Sequence, residues 1–87
     1  MKNDQKIILQ SLSMDLLRAA LGRHRGSHAM ADRFIEESKK RLSELDKSFN
    51  IELISNLNKV LETHSERQAE DLLMYSTLIR NRSIISE

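Results

Sequence analysis

Apolar residues return every three or four positions along this chain, a rhythm that reads as α-helix rather than strand. Ile8, Leu9, Leu12, Leu16, Ala19 and Ala20 form a first stripe, and Met14, Leu17 and Leu21 widen it beyond one seam. A helix apolar over so much of its circumference is expected to be covered on two sides. Asn3 or Asp4 is placed to cap this helix. Gly22 fits the left-handed position just past a helix end, so the element is predicted over about 4–21, with a loop at 22–27.

Ser27 is placed to cap a second helix, with Asp32 near its positive N-terminal end. Phe34, Ile35, Leu42, Leu45 and Phe49 then keep helical spacing, which predicts helix over about 28–49. On the opposite, solvated face, Glu36→Lys40 and Glu37→Arg41 are spaced as supporting ion pairs.

There is no glycine after Gly26 and no proline anywhere. Asn50 tolerates a left-handed conformation and is the predicted end of the second helix, with Ile51 folding back towards Leu45. Ile54, Leu57, Leu61, Leu72, Tyr75 and Ile79 continue the apolar series without losing phase. A third helix is therefore predicted over about 51–83, leaving 84–87 as a frayed tail. The alternative is a further break near 63–65. Glu62 to Gln68 contains no apolar residue, and both Thr63-x-x-Glu66 and Ser65-x-x-Gln68 match a capping box. His64 and Gln68 fall beside the apolar stripe, where they would form a buried polar layer.

The predicted fold is thus all-α, a single domain over 1–87 built as a three-helix hairpin or bundle. At 1.5 Å per residue the third helix would reach ~48 Å against ~33 Å for the second. The excess length leaves an apolar stripe uncovered, and an antiparallel homodimer is its simplest cover. A core this small, with Phe34, Phe49 and Tyr75 as its aromatics, also gains from association.

Charge narrows the function classes. With 14 basic and 13 acidic residues the net charge is +1, so no global field points to a polyanion or a membrane surface. There is no cysteine for disulfide or thiol chemistry. The first residues lack a signal-peptide pattern, no run is long enough to span a bilayer, and a cytoplasmic protein is expected.

Signatures of catalysis are missing: no glycine-rich phosphate loop, no Gly-x-Ser-x-Gly and no His-Glu-x-x-His. His24 and His28 have the spacing of two metal ligands on one helix face, but glycines at 22 and 26 interrupt any such helix. Glu62, Glu66 and Glu70 recur every four residues and read as a solvated face. No metal, cofactor or enzymatic activity is expected.

Two surfaces remain. Leu72, Leu73, Met74, Tyr75, Leu78 and Ile79 form a segment broader than one core stripe, suited to a helical protein partner or to the dimer seam. Arg18, Arg23, Arg25 and Arg33 gather around the loop and could touch phosphates, without interleaved aromatics to stack bases. The reading is a small non-enzymatic interaction module acting as a dimer (adaptor, chaperone-like or regulatory). A nucleic-acid-associated regulator using the basic patch is the alternative.

Overall fold

The computed structural model describes residues 3–45, 51–63 and 67–85. Among them the chain is all-helical, with four helices rather than three: α1 (Asn3–His24), α2 (His28–Glu44), α3 (Ile51–Glu62) and α4 (Gln68–Ile85). The predicted helix over 51–83 is divided at the polar stretch. Thr63 closes α3, its amide bonding back to the Lys59 carbonyl at 3.0 Å and its hydroxyl donating to the same oxygen at 2.6 Å. The threonine therefore ends one helix instead of capping the next. His64, Ser65 and Glu66 lie outside the described residues, as do Phe49 and Asn50. The second helix stops at Glu44, five residues short of its predicted end, because Leu45 turns to an extended backbone at φ −69, ψ 144. Residues 84 and 85, expected in a frayed tail, belong to α4.

The division changes the packing. The molecule measures 37 × 19 × 18 Å, shorter than the single long helix would have been. Leu57 and Leu61 of α3 and Leu72 and Ile79 of α4 are all buried within one chain. The length mismatch that called for a second copy is therefore absent. α1 packs along both α2 and α4, as its wide apolar surface predicts, while α3 meets α2 and α4 over shorter crossings.

Small residues at seven-residue spacing recur in the core: Ser13 and Ala20 on α1, Ala31 and Ser38 on α2, Ala69 and Ser76 on α4, all buried. The serine hydroxyls donate to their own helix backbones, Ser13 to Gln10 O, Ser38 to Phe34 O and Ser76 to Leu73 O, at 2.8–3.0 Å. Each thus enters the core as a small residue with its polar group satisfied.

The left-handed position expected of Gly22 is taken by Gly26. Gly22 stays inside α1, and a Cβ built on it would lie 2.8 Å from the Ala31 amide nitrogen of α2. It is kept small by close helix approach. Gly26 carries the positive φ of +73. Ser27 N–H bonds to Gly22 O at 2.9 Å and Gly26 N–H to Arg23 O at 3.2 Å, the paired bonds of a Schellman cap. Ser27 then leads into α2, but its side chain makes no capping hydrogen bond. Asp32 pairs with Arg23 instead of serving the helix start. On the solvated side of α2 the ion pairs form one residue closer than predicted: Glu36–Lys39 and Glu37–Lys40, with Arg41 turning to Glu44.

Candidate functional site

Of the six α4 residues singled out by pattern, the structure takes Leu72 and Ile79 into the core and packs Tyr75 against its edge. Leu73, Met74 and Leu78 remain exposed, Met74 at 50% and Leu78 at 43%. Met74 and Leu78 belong to one i, i+4 row of exposed positions that begins at Glu70 and ends at Arg82. The row therefore reads acid, apolar, apolar, base.

A second exposed apolar row runs along α1, where the sequence analysis saw only a widened core stripe. Ile7 is 60% exposed and Met14 46%, with Leu21 also exposed and Leu17 half-buried. Ile7, Met14 and Leu21 are seven residues apart, so they align on the outward side of a helix whose other side is filled. The available signal was the circumference itself: α1 carries apolar residues nearly all round, more than two neighbours can cover.

The basic residues near the loop separate into different tasks. Arg23 is internal wiring. Its Nε donates to Gln68 Oε1 at 2.9 Å, Nη2 pairs with Asp32 at 3.0 Å, and Nη1 lies 3.1 Å from His28 Nδ1. Guanidinium nitrogens only donate, so His28 Nδ1 accepts. Gln68, 2% exposed, passes the network on by donating from Nε2 to the Val60 carbonyl at 3.0 Å. Gln68 is thus buried and paired, as expected of it, while His64, the other residue expected in that layer, lies outside the described residues. The network joins the end of α1, the starts of α2 and α4, and the last turn of α3. Arg18 and Arg33 both lie over the Phe34 ring, at 5.6 and 5.7 Å from its centroid, and keep their charges at the surface. Arg25 is exposed. Of the four arginines, Arg23 is thus tied into internal contacts, while Arg18, Arg25 and Arg33 stay exposed.

Asp15, Gln10, Ser11, Met14, Arg18 and Arg41 line an open cleft of about 330 Å³ between α1 and α2. Burial pushes the Asp15 carboxyl above its usual 3.8; Arg41 and Arg18 pull it down and Glu37 adds to the rise. Its Oδ2 lies 4.0 Å from Arg41 Nε, and that buried nitrogen has no hydrogen-bond acceptor among the described residues.

His24 and His28 are both exposed, as are Glu62 and Glu70, while Glu66 lies outside the described residues. Among the described residues no group of three or more His, Asp or Glu side chains is placed to hold a metal ion. No helix searched is long and apolar enough to cross a membrane. No known protein family, curated protein or solved structure matches this chain.

Proposed function

We propose that this chain is a small non-enzymatic protein–protein interaction module that acts as an antiparallel homodimer through α4. The observation that carries the reading is the exposed row Glu70, Met74, Leu78, Arg82. It is complementary to itself. A two-fold axis near Ser76 would set Met74 of one copy against Leu78 of the other, and Glu70 against Arg82. Both ends gain from opposite charge, and the centre buries two flexible apolar side chains per copy. The polarity also suits α4 alone, because the acid sits in its first turn and the base in its last. Each pair is individually weak, so affinity is expected at micromolar concentration, governed by Met74 and Leu78.

The test is molar mass by light scattering over a concentration series. The expected outcome is a species of twice the 10.1 kDa chain mass at ~100 μM, shifted to monomer by Leu78→Glu. Arg82→Glu should weaken the dimer, and adding Glu70→Arg to it should restore it. A wild-type chain that stays at 10.1 kDa throughout would remove the dimer.

A further inference from the structure

We infer that the outer face of α1 is a docking seam for an acidic amphipathic helix of a partner protein. This goes beyond the dimer proposed above and rests on the wider reading of the chain as an interaction module.

The spacing of the seam specifies its occupant. Ile7, Met14 and Leu21 repeat every seven residues, with Gln10, Leu17 and His24 each three residues further on. Leu17 widens the row on one side while Gln10 and His24 leave that edge polar, so the apolar strip has about the width that one packed helix covers. A narrow seam with no aromatic residue suits a helix better than a lipid surface, which favours a broad apolar face and interfacial aromatics.

Charge then chooses among helices. From Gln5 to Arg25 the single carboxylate is Asp15, which is buried at the α2 side and faces Arg41. The cations Lys6 and Arg18 lie on this helix and Arg25 just past its end, with Arg18 and Arg25 exposed and Lys6 half-buried. From Ile7 to Leu21 the outer face of α1 is therefore apolar, with an exposed cation at Arg18 and no exposed carboxylate. A second copy placed here would set cations against cations, unlike the self-complementary row on α4. A partner with Leu or Ile in its seam and Glu or Asp on its flanks meets both features.

The cleft beside Met14 adds a contact point. Arg18 stands exposed there beside Met14, while Arg41 is taken up by Asp15 and Glu44. Glu37 faces the same carboxyl but is paired with Lys40. A partner glutamate at the edge of its seam would approach the Arg18 guanidinium at this place.

The experiment is selection of displayed helices on the full chain. The library keeps Leu at both heptad seam positions and randomises the flanking positions among Glu, Lys and Gln. Glu is expected to rise about fivefold over Lys at the flanks, the scale of one modest ion pair. The selected helices should lose at least tenfold in affinity for Met14→Glu protein, with its helical circular dichroism unchanged. Arg18→Glu protein should shift the selection towards Lys. Unbiased or Lys-rich winners, undiminished binding to Met14→Glu, or binding confined to vesicles of phosphatidylserine and phosphatidylcholine would each overturn the inference. Leu78→Glu protein, the variant designed to break the dimer, should still select Glu-rich helices. Retained selection with a monomeric wild type would overturn the α4 dimer alone, and a dimer without selection would overturn the α1 seam alone.

Discussion

α1 and α4 differ from α2 and α3 in what they leave outside. The six exposed large apolar side chains among the described residues (Ile7, Met14, Leu21, Leu73, Met74 and Leu78) all belong to α1 and α4. α2 and α3 keep their apolar residues to one face and present charge on the other. The intramolecular core takes up most of the described large apolar residues of the amphipathic helices, but only part of those on a helix that is apolar all round. The two helices that share the most extensive packing are also the two with surface to spare.

The sharpest way to break this contrast is to compare inner and outer residues of the same helices. Leu16→Ala or Leu72→Ala should cost about 3 kcal/mol by urea unfolding, since both side chains are fully buried. Met14→Ala or Leu78→Ala, measured on the monomer, should stay within about 0.5 kcal/mol. Equal losses would mean that the outer rows belong to the core.

A smaller effect separates the two glycines. Gly22→Ala should cost about 2 kcal/mol, because the added methyl meets the Ala31 backbone at 2.8 Å and outweighs the better helix propensity of alanine. Gly26→Ala should cost about 1 kcal/mol, from its positive φ alone, since nothing lies within 4 Å of the added atom. The reverse order would return Gly22 to its predicted place at a helix end.

Next comes the polar layer. Gln68→Ala should cost about 1.5 kcal/mol by leaving the Val60 carbonyl and the Arg23 Nε–H without their partner. A double-mutant cycle with Arg23→Ala should show coupling of about 1 kcal/mol; additive losses would show that the two residues act separately.

The smallest effect is a dependence on pH. Asp15 has a folded-state pKa above its unfolded value, so its titration favours folding below the usual 3.8 and loses that contribution as pH rises through the folded value. Asp15→Asn keeps the shape without the charge. The stability of this variant relative to wild type should therefore improve from about pH 3 to about pH 7. A constant difference would show that Arg41 fully offsets the burial.

Much of the helical layout was legible in the residues, because period and polarity act locally. A turn between α1 and α2, though at 25–27 rather than 22–27, the two-sided covering of α1, and Gln68 as a buried polar residue all follow from spacing and side-chain type. The core face of α4 was legible too: Leu72, Tyr75 and Ile79 continue the apolar phase and turn inward, while Leu73 and Met74, off that phase, stay out. Leu78, set beside Ile79 in the same segment, stays out because the neighbouring helices leave its side uncovered. Gly22 failed for a related reason. A glycine near a helix end and a glycine under a crossing helix look alike until Ala31 is in place. At 63–68 the continuing apolar phase and the capping boxes pointed in opposite directions. Burial favours the break, since it lets Leu57 and Leu61 enter the same core as Leu72 and Ile79.

The contact between Arg23 and Gln68 joins residues 45 apart in sequence. It also marks where the first and last helices meet, and this has a consequence in time. The α1–α2 hairpin closes over a few residues, so it is available early. The α1–α4 interface waits until roughly half the chain has looped back, and loop closure of that kind slows folding even where it adds little to the final free energy. Until it forms, the inner leucines of α1 face water alongside the outer ones. The interval before the last helix arrives is therefore when this chain is most open to the wrong partner.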